Sequence, residues 1–565
     1  MRKLLIFLAL LNSMLYAAGQ ASLLTDSSYT VRDSVMIKTR DGAYISAIIA
    51  FKKSNKKPLP AILFYTTYNE GPRDAYFALK PAEKNYVGVV AYCRGIKTNG
   101  KDYTPFIHDA DDAYDVIDWI SKQPWCNGKV GMYGGSYTGF VQWAVAKKNH
   151  PALKTIVPQV AVMPGFDFPM ENNIATSNIL SWPNDNIYKD KRLPPNLPFT
   201  WYESGVSYRS LDSLANAPDP IFQTWLLHPG YDTYWSSLAP TPKEYAAMNI
   251  PILATTGYYD GAQIGAMQYI RKYYQYNTHP QLYVAIGPYD HWSGQRNAAD
   301  TLMGYAIDSV ARISMMNLAF EWLDHVLKDA PMPALLKNKF NYEIMDANKW
   351  QHAGSPDKWS KKIYKLYLSV QKNNGYYSLL NKKPATQNFV QQEVNFKDRS
   401  DTGQNNYFTP TIVNKQLPIG NGIVFATRAL DEPMLISGHF FGRLFTCINK
   451  KDMDITVSFY EKTLEGNFFY LTTYAGRASY AANNNKRTLL QPGVIKAIDF
   501  NTTRFVSKRL AKGSCLVIVV NVNKHPFNII NYGSGKNVYD ETIQDASEPL
   551  KIKWMEQSWI AIGKE

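Results

Sequence analysis

Between about residues 30 and 355, short apolar runs alternate with amphipathic stretches, and this alternation limits the fold more than any other feature of the chain. Pro60–Tyr65, Val87–Tyr92, Lys129–Tyr133, Thr155–Pro158, Pro251–Thr255 and Leu282–Ile286 carry apolar or small residues on both faces. A strand of that kind must be covered on both sides. Between the runs, Asp109–Lys122, Tyr137–Asn149 and Ala262–Tyr276 have helical spacing. Apolar strands joined by helices predict right-handed βαβ units and a mostly parallel sheet, an α/β class fold.

The rhythm breaks twice. From about 164 to 245 the chain is rich in Pro, Asn, Trp and Tyr and is too long for a simple connection, so a mostly helical cap inserted over the strand ends is expected. After about 360, strand-like segments such as Lys362–Tyr367, Asp454–Tyr460 and Cys515–Val520 follow one another without intervening helices. Such a series predicts a β-sandwich of jelly-roll type. The expected organisation is a leader at 1–20, a catalytic α/β domain at 21–355 and a β-sandwich at 356–565. At 565 residues the chain exceeds what one core usually serves. Arg2-Lys3, the apolar stretch Leu4–Leu11 and Ala17-Ala18-Gly19 read as an export signal, which predicts a periplasmic or extracellular protein with no transmembrane segment.

Composition excludes more than it assigns. The net charge of +14 is spread without a run of five Lys or Arg, so no nucleic-acid partner is expected. Four cysteines without a CxxC predict thiols buried in the fold rather than a disulfide scaffold. His, Cys and carboxylates never cluster at ligand spacing, so neither a catalytic metal nor another cofactor is expected.

Lys129–Gly139 carries the chemistry. A buried strand runs into Gly134-Gly135-Ser136, and a helix pattern follows at once. A serine on so sharp a strand-to-helix turn has its Oγ pushed out above the sheet, with small residues needed two positions either side, here Gly134 and Thr138. Taken alone, the motif is equally that of a serine capping a helix in a glycine-rich loop. A hydroxyl needs an imidazole base and an orienting carboxylate to become a nucleophile. Downstream, one buried strand ends in Gly257-Tyr258-Tyr259-Asp260 and the next in Gly287-Pro288-Tyr289-Asp290-His291. The order Ser136, Asp260, His291, each after a buried strand, predicts a catalytic triad. Asp290 competes for the acid but adjoins His291. His108, His228 and His325 follow no buried strand and are read as structural.

These residues resemble the cocaine-esterase/NonD-like hydrolases, the group that includes α-amino acid ester hydrolases, glutaryl cephalosporin acylases and X-prolyl dipeptidyl peptidases. The resemblance also rests on Tyr65-Thr66-Thr67-Tyr68, Arg94-Gly95, Asp112–Ile120, His228-Pro229-Gly230-Tyr231-Asp232, Gly442-Arg443-Leu444 and Leu490-Gln491-Pro492-Gly493. It implies an α/β-hydrolase domain with a helical cap and a C-terminal jelly roll. It also implies an oxyanion hole built from the Tyr68 hydroxyl and the Tyr137 backbone N–H. The carboxylates that hold an ammonium group in the α-amino ester hydrolases have no direct counterpart here. Asp260 is followed by Gly261-Ala262-Gln263, and the cap position falls around Pro169-Met170, with Asp167 and Glu171 nearby as candidates to bind substrate in their place, the competing expectation being that both are solvated. Phe166, Phe168, Trp182 and Trp201 suit an apolar acyl or aryl group. The expected substrate is a small ester, amide or short peptide, and an oligomer is compatible with the sequence. An X-prolyl dipeptidyl peptidase and an inert secreted binding protein are the competing readings.

Overall fold

The computed structural model describes residues 24–98, 103–188, 192–358, 360, 362–400, 411–501 and 503–564. The leader expected at 1–20 lies outside the described residues. The chain divides into two compact units, the first holding residues up to Gln159 with Pro240–Leu253 and Ala319–Pro333, the second Val160–Ala239, Ala254–Leu318 and Ala334–Glu565.

In the first unit the strands are β1 (Tyr29–Lys38), β2 (Tyr44–Lys52), β3 (Leu59–Thr66), β4 (Val87–Tyr92), β5 (Cys126–Gly135) and β6 (Leu153–Gln159), in the spatial order β1-β2-β4-β3-β5-β6. The pairs β3–β4, β3–β5 and β5–β6 are parallel, and β1–β2 and β2–β4 antiparallel. All six residues of β4 are buried, as are Pro60–Thr66 of β3. These strands therefore lack the period-two pattern of a half-exposed sheet. The helices that cover the unit's strands include α1 (Ala75–Glu83), α2 (Asp109–Ser121) and α3 (Tyr137–Ala146). In α2, Ala113, Val116, Ile117 and Ile120 form the buried stripe at i, i+3, i+4 and i+7, while Asp109, Asp111 and Asp112 offset the dipole of its first turn. Every residue of α3 is buried.

β7 (Ile252–Tyr259) begins in the first unit and continues into the second, which adds β8 (Leu282–Asp290), β9 (Phe340–Ile344) and β10 (Lys349–Ala353). β8 pairs parallel with β9, and β9 antiparallel with β10. Helix α4 (Gln263–Tyr276) follows β7 directly. Between Val160 and Ala239 the chain forms a two-strand ladder, Met170–Glu171 with Ile174–Ala175, and a series of short helices. Asp219 and Asp232 cap two of these helices through their carboxylates. Beyond residue 360 the structure is a fourteen-stranded, predominantly antiparallel sheet, with Cys515–Val522 paired to Asp454–Lys462 and that strand paired to Phe468–Arg477. The α/β N-terminal part and the large C-terminal β-sheet are those expected. The early hairpin β1–β2 and the β9–β10 pair were not singled out from the sequence. All four cysteines are free, Cys93 and Cys126 buried but Cys447 and Cys515 only half-buried. Among the described residues no helix is long and apolar enough to cross a membrane.

Helix α1 lies so close on β4 that a Cβ at Gly88 would sit 1.9 Å from the carbonyl oxygen of Ala78. Backbone cannot yield as a flexible side chain would. Gly88→Ala is therefore expected to cost roughly 2–3 kcal/mol of stability, measured as a lowered urea midpoint at unchanged slope.

Candidate active site

Strand β5 passes into helix α3 through the single residue Ser136, whose backbone is held at φ 61° and ψ −123°. Left-handed φ in a residue with a Cβ costs energy and persists only where the surroundings fix it. They do so here with three hydrogen bonds. Ser136 N–H donates to Gln159 O at 3.0 Å, and the buried Gln142 carboxamide donates to Gly134 O at 3.0 Å and accepts from Val157 N–H at 2.8 Å. Gly134 has φ 130°, and a Cβ there would lie 2.4 Å from Thr138 Cγ2 and 2.8 Å from Phe64 Cε2. The space a glycine two positions after the serine would leave is filled by Thr138, and Gly134 alone supplies the clearance.

The Tyr68 hydroxyl donates to Ser136 Oγ at 3.2 Å. Tyr137 opens α3, so its backbone N–H belongs to the helix N-terminus, while its ring is buried beneath. The Tyr137 hydroxyl donates to Asp109 Oδ2 at 2.5 Å and accepts from Phe106 N–H at 2.7 Å. Burial pushes the Asp109 carboxyl up to about 6, against the opposing pull of its bonds to Tyr137 and the Cys93 thiol.

In the second unit Asp260, fully buried, ends the turn after β7. Its carboxylate accepts from His291 Nδ1 at 2.7 Å, from Ala262 N–H at 2.9 Å and from the Thr256 hydroxyl at 2.7 Å. His291 follows β8, and its side chain is 16% exposed, so the ring remains reachable from outside. The rival Asp290 turns instead to its own loop, where its Oδ1 accepts from Trp292 N–H, Ser293 N–H and the Ser293 hydroxyl. Within each unit the expected partners are thus brought together, Tyr68 with Ser136 and Asp260 with His291. Of the histidines read as structural, His228 lies on Asp232 at 2.7 Å and His325 on the carbonyl of Ala330. Among the described residues no group of three or more His, Cys, Asp or Glu could hold a metal.

The residues considered for substrate need correction. Asp167 and Glu171 are not solvated, being 4% and 2% exposed. Asp167 accepts from Met163 N–H at 2.7 Å and Gly265 N–H at 3.0 Å, and burial pushes its carboxyl well above the usual range. Glu171 pairs with Arg504 at 2.7 Å. Part of what encloses each comes from distant chain, Gly265 for Asp167 and Arg504 for Glu171. Trp182 packs against Phe168 and Trp225, Phe166 meets Tyr231 edge-on, and Trp201 is buried against Tyr208. Arg504, which reaches the backbone of Asp260, escaped the sequence reading because no motif surrounds it.

Residues 41–293 match the family model described as X-Pro dipeptidyl-peptidase (S15 family), and residues 324–547 match that of the X-Pro dipeptidyl-peptidase C-terminal non-catalytic domain. The cocaine esterase of Rhodococcus sp. is 22% identical over 92% of this chain and 96% of its own. Among solved structures, an aminopeptidase from a marine-sediment Thaumarchaeota archaeon has a TM-score of 0.81 at 20% identity, covering 95% of this chain and 96% of the other. An alpha-amino acid ester hydrolase has a TM-score of 0.80 at 20% identity, covering 95% and 97%. The chain is a serine hydrolase. Within that class its two parts fall in the S15 peptidase family and that family's C-terminal domain, and the chain is similar to the cocaine esterase, as the resemblance in sequence implied.

The Asp109 carboxyl gives a pH prediction. Its pKa is raised on folding, so its contribution is fully present below about pH 4 and is lost as pH rises through 6. A rise of this size is on the order of 3 kcal/mol. Across pH 4 to 8 the stability of the wild type should therefore fall relative to Asp109→Asn by up to that amount in urea titrations. A difference that stays flat with pH would refute the assignment.

Proposed function

We propose that this chain is an exported serine hydrolase that cleaves ester or amide bonds through Ser136, His291 and Asp260. In this reading, segment 164–245 caps the strand ends and the C-terminal sheet is a jelly roll. Ser136 Oγ attacks the substrate carbonyl while His291 takes its proton, and Asp260 holds the imidazolium that forms. The Tyr68 hydroxyl and the Tyr137 N–H stabilise the oxyanion. Collapse expels the alcohol or amine, protonated by His291, and leaves an acyl-enzyme that water releases by the same route reversed. The observation that carries the reading is Ser136 itself, a non-glycine residue held at φ 61° with a phenol on its Oγ. The Asp260–His291 bond of 2.7 Å supports the other half of the mechanism.

The second reading, an X-prolyl dipeptidyl peptidase, is favoured by both family models. Such an enzyme anchors its substrate's free amine, for which an ionised carboxylate is the natural partner. Burial favours the neutral form of Asp167, and Glu171 is already paired with Arg504. These two acids are therefore poor amine anchors, and the balance moves towards ester or acyl-amide substrates. Export rests on the charged and apolar start of the sequence.

Ser136→Ala should fold as the wild type does and lose at least about 10⁴-fold in kcat. Tyr68→Phe, which removes one oxyanion donor, should lose about 10²-fold in kcat. Both are measured on a nitrophenyl ester beside an X-Pro-nitroanilide. Efficient turnover of the anilide would reverse the order of the two readings. Failure of a fluorophosphonate to label Ser136 would point instead to an inert binding protein.

A further inference from the structure

The Asp260 turn is held by a residue from far along the chain. Arg504 lies two residues before the strand Val506–Leu510, in the region matching the model described as non-catalytic. Its Nε donates to the carbonyl oxygen of Asp260 at 2.9 Å and its Nη2 to that of Gly261 at 2.9 Å. The same guanidinium grips Glu171, Nη2 to Oε2 at 2.7 Å and Nη1 to Oε1 at 3.4 Å. Phe505 continues the clamp: its N–H donates to Gln263 Oε1 at 2.5 Å, and its carbonyl accepts from Gln263 Nε2 at 2.9 Å. Gln263 Nε2 also donates to Gly257 O at 2.8 Å, so the clamp spans both flanks of the acid.

The geometry has a direct consequence. Two successive carbonyls converge on one planar cation, which fixes both peptide planes and hence the direction in which Asp260 projects its side chain. A guanidinium suits this because its donors lie in a rigid fork; an ammonium presents one point. Glu171 compensates the charge that burial would otherwise penalise. Resting on the serine-hydrolase reading above, we propose that Arg504 is a positioning residue for the catalytic acid, and that the C-terminal region thereby sets the alignment of Asp260 on His291.

The test uses the full chain with Arg504→Met, Arg504→Lys and Glu171→Gln, and with Ser136→Ala as reference. Thermal unfolding reports the fold, steady-state kinetics on a nitrophenyl ester separate kcat from KM, and the rate of fluorophosphonate labelling reports activation of Ser136 without substrate binding. Arg504→Met should lose about 10- to 100-fold in both kcat and labelling rate, with KM within about threefold. Arg504→Lys should recover part of that loss. Glu171→Gln, which leaves both carbonyl bonds in place, should lose less than about tenfold. A folded Arg504→Met with unchanged kcat and labelling overturns the proposal, as do losses that merely follow the folded fraction. Should Arg504→Met not fold, wild-type kcat in Arg504→Lys overturns it, and a reduced kcat and labelling rate at unchanged KM in folded Arg504→Lys supports it. Activity persisting in Ser136→Ala overturns the function and this role together, whereas a silent Arg504→Met beside an inactive Ser136→Ala overturns the positioning role alone.

Discussion

A strand and a helix joined through one serine leave the backbone no relaxed path, and much of the first unit is arranged to hold that junction. Ser136 takes a left-handed φ of 61° with its amide pinned to Gln159. The Gln142 carboxamide then ties the end of β5, through Gly134, to Val157 of the neighbouring strand. Strain at a functional residue must be over-determined by its surroundings. Here that determination comes from hydrogen bonds buried in a close-packed layer, where water cannot compete for them. The missing Cβ at Gly134 is part of the same device, because Thr138 fills the space on the other side of the serine.

Electrostatics around the site follows from how each buried acid is satisfied. Asp260 accepts hydrogen bonds from an imidazole, a hydroxyl and a backbone amide. Glu171 meets a guanidinium. Asp167 and Asp109 have only neutral donors to set against full burial, and their pKa values rise. Buried carboxyl groups in this region thus differ in the kind of partner that satisfies them: an imidazole, a guanidinium, or neutral donors alone.

The aromatic residues of the segment between Val160 and Ala239 illustrate the same dependence on context. Phe168, Trp182 and Trp225 contact one another, and Trp225 contacts Trp235. Short helices bury little area each, and large rings supply the apolar contact that such pieces need to cohere. Rings of this kind look like a substrate pocket in sequence, and here they pack against one another.

Local pattern was enough to place the buried strands and the helices after them. Strands covered on both faces lose polar alternation, and a helix over a sheet needs a stripe at i, i+3, i+4; both are local patterns. Thus β3 to β8 and α2 to α4 lie within a few residues of their expected positions. The hairpin β1–β2 escaped because its first strand is largely exposed and carries no continuous apolar run. Tertiary structure alone decided that Asp167 and Glu171 are buried, and that Arg504 grips the Asp260 turn across 244 residues of chain. Those facts depend on contacts between distant segments, and a residue's own neighbours in sequence hold no record of what will pack against it in space.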